Sequence, residues 1–212
     1  MPEKVILNLG CGTIRIPGSI GVDCVPIEGF ADVVWNLDKF PYPFPESYAD
    51  EVWLIFTLEH LEDPFKVLEE VYRILKPQGK VFIRVPHFSS CYCWGELTHK
   101  RAFSSGFWRV FSGQDNNARR YYSKAEYSVV DLRVKYFLTY PPIKWFKSDS
   151  WKPHWEKFFI VGRLIKIFVS VVQFLIDLSP EIFERFWCYY VGGAAEICCV
   201  LKAEKSCDKE NL

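Results

Sequence analysis

The stretch KVILNLGCGT, residues 4–13, decides the fold. Its apolar first half predicts a buried strand, and Gly10 and Gly12 follow where that strand ends. Glycine allows a positive φ and a close approach of the backbone to a ligand. Free N–H groups at such a turn attract negative charge. The stretch therefore predicts a strand that leads directly into a ligand-binding loop.

The loop departs from the dinucleotide-binding pattern G-x-G-x-x-G, because Arg15 stands where the third glycine is required. An acid nevertheless follows, since Asp23 ends the next apolar segment. A carboxylate at the end of a second strand can accept hydrogen bonds from a ribose diol. Asp23 comes sooner after Gly10 than the dinucleotide pattern expects, so the first crossover must be short.

Outward from this loop, the pattern predicts an α/β fold with a parallel sheet. Asp63 can cap a helix over 63–75, with Pro64 in its first position. Apolar residues recur along this helix at steps of three and four. Apolar strands separated by crossovers imply a parallel sheet that is covered on both faces. The predicted strands span 4–9, 20–23, 32–35, 50–56, 80–85, 129–137 and 195–201.

Several ordered blocks resemble a known family. NLGCGT at 8–13, GVDC at 21–24, NLDKFPYPF at 36–44 and the long block at 49–88 resemble the type-11 group of class I S-adenosylmethionine-dependent methyltransferases. GELTHKRAFS at 95–104 and GGAAEICCVLK at 192–202 resemble a subgroup often linked to glycan biosynthesis. The first resemblance covers about residues 4–90.

The resemblance implies a Rossmann-like seven-stranded sheet in the order 3-2-1-4-5-7-6, with the last strand antiparallel and helices on both faces. It implies one domain over 1–212, with a cofactor-binding half at 1–86. An elaboration at 87–190 would build the acceptor site, and 194–203 would hold the final strand.

The resemblance also implies S-adenosyl-L-methionine as the cofactor. The glycine loop would approach its methionine end, and Asp23 would hold the ribose. Asn36 and Leu37 would flank the adenine, and Phe56 and Thr57 would lie beside the sulfonium. Asn8 replaces the usual acid of the family, and Ile14 stands where a glycine is frequent. The residues assigned to the cofactor are Asn8, Gly10, Cys11, Gly12, Asp23, Asn36, Leu37, Phe56 and Thr57.

Three of the four histidines are candidate general bases. Histidine can remove a proton from a hydroxyl near neutral pH. His60 and His87 follow the fourth and fifth strands, at the edge where α/β sheets place ligands, and His99 lies in the second block. The alternative is that each orients a loop or the substrate. His154 is expected in a surface or lid segment.

A zinc site from His87, Cys91, Cys93 and His99 is the other candidate use of these side chains. The Cys-x-Cys spacing is shorter than structural zinc sites normally have. The sequence therefore predicts no metal. Glu59, beside His60, is expected to pin the loop or close over the cofactor rather than act as a base.

A long apolar helix is predicted near 157–178. Its polar residues form one narrow stripe, so most of its surface should be covered. Core packing, a homodimer partner and peripheral contact with a membrane remain open as the cover. The stripe comprises Arg163, Lys166, Ser170, Gln173 and Asp177.

Composition narrows the class of protein. A net charge of zero gives no case for a nucleic-acid partner. The eight cysteines lack the spacing of a disulfide scaffold and are expected to be free thiols. With no secretory signal visible, the expected location is cytoplasmic, with peripheral membrane contact as the alternative.

The expected function is methyl transfer to an oxygen of a small-molecule acceptor, such as a sugar or glycan intermediate. The sugar preference comes from the resemblance alone. The alternative is a non-catalytic S-adenosylmethionine-fold binding module that uses its apolar helix for a partner or membrane surface.

Overall fold

The computed structural model describes residues 4–112, 123–136, 159–188 and 193–205. Seven strands form one sheet in the order β3-β2-β1-β4-β5-β7-β6. In chain order they are β1 Ile6–Leu9, β2 Ser19–Asp23, β3 Val33–Val34, β4 Ala49–Ile55, β5 Leu75–Pro86, β6 Tyr127–Tyr136 and β7 Ala194–Ala203.

The pairing confirms the predicted topology. β1 lies between β2 and β4 and is parallel to both. β3 pairs with β2, and β5 with β4, also in parallel. The last strand, β7, is antiparallel to β5 and β6. The carboxyl ends of β1, β2, β4 and β5 therefore meet at one edge of the sheet, which is where open α/β sheets bind ligands.

The core lies against one face of the sheet. Leu7, Val52 and Val81 point to this face and are fully buried. On the opposite face, Trp53 of β4 and Phe82 of β5 are paired neighbours. Both side chains are half-buried, and their rings stack with centroids 4.3 Å apart. The aliphatic face holds most of the apolar burial that stabilises the sheet.

The sequence predicts the two longest helices but not all of the shorter ones. A 3-10 turn at Leu58–His60 precedes α1, Pro64–Ile74. The Asp63 side chain accepts hydrogen bonds from the amides of Phe65 and Lys66, which confirms the predicted N-cap. The other helices are α2 Cys91–Gly95, α3 Ser105–Phe111, α4 Phe159–Leu178 and α5 Pro180–Ile182, which continues as a π-helical turn over Phe183–Trp187. Helices α1 and α4 lie where the sequence predicts them, whereas the short helices α2 and α3 were not predicted.

Loops connect the first four strands. Among the described residues, 10–18, 24–32 and 35–48 contain no helix. The early position of Asp23 predicts the short first crossover. The edge above β1 and β2 is consequently built from loop backbone and from residues at the strand ends.

The helix α4 packs on the protein with only part of its surface. Val172 and Ile176 are buried, and the Gln173 amide donates to the carbonyl of Val134 on β6 at 2.9 Å. A large apolar surface of the helix faces outward, so within the described residues the chain itself does not cover it. The exposed residues include Ile167, Phe168, Val171, Phe174, Leu175 and Leu178.

The predicted polar stripe is only partly visible. Gln173 turns toward β6, whereas Ser170 and Asp177 are exposed. The side chains of Arg163 and Lys166, like the segment 141–157, lie outside the described residues. Among the described helices, none combines the length and hydropathy needed to span a membrane.

Candidate functional site

The loop after β1 is held by the end of β2. The amides of Gly10 and Cys11 both donate to the carbonyl of Val22, at 2.8 and 3.0 Å. Gly10 has a φ of +67°, and a Cβ there would lie 2.3 Å from the Thr57 methyl carbon. Both the backbone conformation and the close approach require glycine.

Asp23 joins this loop to the end of β2. Its carboxylate accepts a hydrogen bond from the Gly12 amide at 2.8 Å. Gly12 has a φ of +46°, and the position of a Cβ there has no atom within 4 Å. A carboxylate offers about four lone-pair sites. Asp23 therefore keeps acceptor capacity beside an open space, which suits a ribose diol.

Asn8 is buried beneath the loop. Its amide nitrogen donates to the carbonyl of Ile14 at 2.8 Å, and its side-chain oxygen has no partner among the described residues. A buried acceptor without a partner is unusual in a folded protein. Asn8 thus braces the loop and leaves one oxygen for a donor from a ligand or water.

Cys11 and Leu37 have buried side chains, as Asn8 and Thr57 do among the predicted cofactor residues. Burial, followed by the charge of Asp23, raises the pKa of the Cys11 thiol, and its sulfur lies 3.5 Å from the carbonyl of Phe30. Leu37 is buried in the core. These two residues can serve a ligand only through their backbone. Asn36 is exposed, and its side-chain oxygen accepts from the Asp38 amide.

The end of β4 carries Phe56 and Thr57. The ring of Phe56 lies under the Arg84 guanidinium, 5.0 Å from its centroid to the central carbon. The Thr57 hydroxyl lies 3.1 Å from the carbonyl of Leu9 and 3.2 Å from that of Ile55. Thr57 therefore fastens the end of β4 to the end of β1.

Directly after Thr57, the structure brings His60 and His99 together. Their rings meet edge to face with centroids 4.6 Å apart. The segment that carries His99 is held over the turn, because the Lys100 amide donates to the carbonyl of Glu59 at 2.7 Å. Burial and the neighbouring His99 lower the pKa of His60. Nδ1 of His99 lies 3.0 Å from the carbonyl of Cys93, so it carries the proton and leaves Nε2 as the acceptor.

Glu59 completes this cluster, and sequence reasoning had not assigned it a chemical role. It is 1% exposed, and neither carboxylate oxygen has a hydrogen-bond partner among the described residues. Burial raises its pKa to about 8. The signal that could have found it is the pair Glu59-His60 at the end of a central strand, since buried acids with a displaced pKa concentrate at functional sites.

His87 lies in a different hydrogen-bond network. It is fully buried, and its Nδ1 accepts from the Ser89 amide at 3.2 Å. The proton therefore sits on Nε2, which lies 3.1 Å from the Glu184 carboxylate. The same oxygen of Glu184 accepts from the Ser105 amide at 2.6 Å. The structure thus joins His99 to His60 rather than to His87.

The cysteine–histidine combination is not the group that converges. Within the described ranges, three potential metal ligands lie close together, and they are Glu59, His60 and His99. All seven cysteines in these ranges are free thiols. Cys207 and His154 lie outside the described residues.

Comparisons with known proteins agree with this architecture. A family model described as a methyltransferase domain matches residues 28–83. Demethylmenaquinone methyltransferase of Tropheryma whipplei strain Twist is 24% identical over 123 residues, which cover 50% of this chain and 47% of that protein. The ubiquinone/menaquinone biosynthesis C-methyltransferase UbiE of Chromobacterium violaceum is 35% identical over 65 residues, or 31% of this chain and 27% of that protein. The chain thus spans about half the length, or less, of these curated relatives.

Solved structures share the fold over most of the chain. A SAM-dependent methyltransferase from Archaeoglobus fulgidus matches with a TM-score of 0.52 and 19% identity, covering 95% of this chain and 86% of that one. The YcgJ protein from Bacillus subtilis matches with a TM-score of 0.53 and 17% identity, covering 96% and 93%. The fold is the Rossmann-like fold of class I S-adenosylmethionine-dependent methyltransferases, and this is the class of enzyme that the chain resembles in sequence and architecture.

The His87–Glu184 pair predicts a dependence of stability on pH. Burial alone would raise the pKa of Glu184, but hydrogen bonds from His87 and Ser105 outweigh it and hold the pKa below its ordinary value. The ionised carboxylate therefore stabilises the fold above the unfolded pKa of about 4.3, and this contribution is lost as the pH falls through the folded pKa. Glu184→Gln should lower the free energy of unfolding at pH 7 by about 1.5–3 kcal/mol and flatten its acid limb.

Urea unfolding at pH 7 and at pH 4 measures both effects. Glu181→Gln is the matched control, because Glu181 lies in the same helical segment with its side chain 49% exposed and paired with Arg109. Surface pairs of this kind contribute about 0–1 kcal/mol. Equal losses in the two variants, or an unchanged acid limb in Glu184→Gln, would contradict this role of the buried pair.

Proposed function

We propose that this protein is an S-adenosylmethionine-dependent methyltransferase that acts on a small molecule. The observation that carries the proposal is the carboxyl edge of β1, β2 and β4. There, the loop held by Gly10 and Asp23 adjoins the turn that carries His60, and the segment with His99 is held over this turn. Thr57 links the loop to the turn. Its hydroxyl donates to the carbonyl of Leu9 at the end of β1, and the next residues form the turn Leu58–His60.

The residues present fit the cofactor. The space beside the Cα of Gly12 is open, and Asp23 retains lone pairs for the ribose hydroxyls. The buried side-chain oxygen of Asn8 has no donor among the described residues. When bound, S-adenosylmethionine supplies an electrophilic methyl group on its sulfonium. The neutral amide of Asn8 keeps an acceptor where the family usually has a charge.

For the acceptor, the favoured chemistry is methylation of a hydroxyl oxygen. The unprotonated Nε2 of His99 can take the hydroxyl proton, while the protein holds the reacting atoms in line. Glu96 lies beside this nitrogen at 3.5 Å, and the tautomer is set from the other side of the ring by the Cys93 carbonyl. A sugar or glycan intermediate is the acceptor that the sequence resemblance suggests.

A second candidate acceptor is a ring carbon of a quinone precursor. The relatives named for demethylmenaquinone and for ubiquinone/menaquinone biosynthesis favour it. A non-catalytic binding module is the less favoured alternative, because such a module has no need for a cluster of two imidazoles and a buried carboxylate at the edge where a ligand binds.

The exposed side of α4 supports a membrane surface as the place where the protein works. Ile167, Phe174 and Leu178 are each more than 60% exposed, and Ile182 extends the apolar surface beyond the helix. Contiguous apolar surface of this kind marks an interaction site on soluble proteins. The quinone names of the relatives favour a lipid surface over a second copy of the chain as its cover.

Asp23→Ala should weaken S-adenosylmethionine binding by about 1.5–3 kcal/mol, because a hydrogen bond to a charged group is lost. This corresponds to roughly 10–150-fold in the dissociation constant. Isothermal titration calorimetry measures it, with the exposed acid Glu28→Ala as the control. Unchanged affinity in Asp23→Ala would refute the ribose role, and binding of NADH in place of S-adenosylmethionine would refute the proposed class.

His99→Ala should lower methyl transfer by about 10²–10⁴-fold, the usual contribution of a positioned acid or base, and leave cofactor affinity nearly intact. The measurement is tritiated methyl transfer to a panel of sugars, phenols and quinols, after the wild-type protein has identified an acceptor. His154→Ala serves as the histidine control. A His99→Ala variant with full turnover would place the acceptor elsewhere.

Phe174→Glu combined with Val171→Glu should reduce the protein bound to anionic phospholipid vesicles by about tenfold or more, since each buried large side chain contributes about 1.5–3 kcal/mol. Vesicle sedimentation measures the bound fraction, and Val130→Glu, at a valine of β6 that is 51% exposed, is the control. If the wild-type protein does not bind vesicles, and light scattering shows a dimer that the double variant does not form, the exposed apolar side of α4 is a dimer interface.

A further inference from the structure

Among the described residues, no hydrogen-bond partner accounts for the buried carboxylate of Glu59. A charged or neutral carboxyl group 1% exposed should have its oxygens hydrogen-bonded, yet neither has a partner among the described residues. Such a group in a folded protein calls for an explanation, and a missing ion is one of the few that applies. A buried carboxyl group with neither a hydrogen bond nor a bound ion lowers the stability of the folded protein.

Two imidazoles face the same point as this carboxylate. One possible ligand atom from each of Glu59, His60 and His99 lies within 4.8 Å of the other two. Two ligand atoms that bind one ion with bonds of about 2.0–2.2 Å lie at most about 4.4 Å apart, so small movements of the three side chains would bring these atoms onto a shared ion. The three residues come from two segments, the turn after β4 and the segment after α2, which the amide of Lys100 ties together.

Each imidazole is oriented as a metal ligand normally is. His99 directs Nδ1 to the carbonyl of Cys93 at 3.0 Å, and the backbone of Thr98 lies beside the His60 ring and favours its protonated form. In metal sites, the ring nitrogen that does not bind the ion typically donates to a backbone carbonyl or carboxylate. Each ring therefore keeps one nitrogen for the shared point.

We propose that Glu59, His60 and His99 bind a divalent transition-metal cation, of the kind that zinc represents. Two imidazoles and one carboxylate select such ions over magnesium and calcium, which prefer oxygen ligands alone. Three protein ligands leave a position open, the arrangement of catalytic rather than structural zinc sites.

The open position would lie at the carboxyl edge of β4, beside the loop of β1. An acceptor oxygen bound there would lose its proton more readily, because a cation lowers the pKa of a bound hydroxyl or water. This consequence rests on the proposed methyltransferase function, whereas the binding of the cation does not. With its Nε2 bound to the ion, His99 would not accept this proton itself. The proton would leave to solvent water, and His99 would act on the acceptor through the ion.

The test is calorimetric titration of zinc chloride into the full chain after treatment with a chelator. One zinc ion should bind per chain, and magnesium should not compete. Glu59→Gln and His99→Ala should each weaken zinc binding by about 100-fold or more, since even the outer partners of metal ligands account for about 10–100-fold. Glu62→Gln, the same change at a carboxylate 70% exposed, should bind zinc as the wild type does.

The fold of Glu59→Gln is controlled by thermal melting with the chelator present. Its melting temperature should equal or exceed that of the wild type, because the buried carboxylate has no hydrogen bond to lose within the part of the chain that the structure describes. Zinc should raise the melting temperature of the wild type and not that of the variant. If Glu59→Gln fails to fold, His60→Gln provides the same comparison.

Three results would overturn the proposal: no zinc binding, zinc binding that survives Glu59→Gln and His99→Ala, or zinc binding that is lost in Cys91→Ser. The last result would assign the metal to the cysteine–histidine set. S-adenosylmethionine binding by the chelated wild-type protein separates the two proposals. If S-adenosylmethionine still binds while zinc does not, the metal site is refuted and the proposed methyltransferase function is not.

Discussion

The contact between Thr57 and Gly10 joins the ends of β1 and β4, and the geometry of the candidate site depends on it. A side chain at Gly10 would overlap the threonine methyl group, with only 2.3 Å between the carbon atoms. Because the two strand ends are this close, the loop on one and the histidine turn on the other share a single edge of the sheet. A hydrogen bond from the threonine hydroxyl to the backbone of Leu9 or Ile55 holds that arrangement without exposing a polar group.

The two halves of the candidate site, on either side of this contact, are built from different chemical groups. The half above β1 and β2 is built from backbone amides, one carboxylate and one amide side chain, which suits recognition of hydroxyl and charged groups of a nucleoside. The half above β4 is built from titratable side chains that are largely hidden from water. A buried acid and two imidazoles suit the proposed chemistry, whereas the first half suits the proposed binding of the cofactor.

The fold could be predicted from the sequence to a large extent because its signals are local. The β1 stretch, the Asp63 cap with Pro64 and the alternation of apolar and polar residues in β6 each depend on neighbouring residues. The sheet order came from family resemblance and is confirmed by the pairing. The short first crossover also follows from the small number of residues between Gly10 and Asp23.

The candidate site was less predictable, because its partners are distant in the chain. Nothing in the sequence indicates that His87 bonds to Glu184, 97 positions later, or that His99 meets His60 instead. The isolation of the Glu59 carboxylate is likewise a property of the folded core. For Cys11 and Leu37, motif position suggested contact with a ligand, but burial decides that only their backbone is available.

The most direct test of the account is a crystal structure with S-adenosylhomocysteine bound. The account predicts that the ribose hydroxyls contact the carboxylate of Asp23 and that the sulfur lies on the side of the pocket where His60 and His99 meet. Ligand bound on another edge of the sheet, or a ribose held without Asp23, would contradict the central claim that the joined ends of β1, β2 and β4 form the methyl-transfer site.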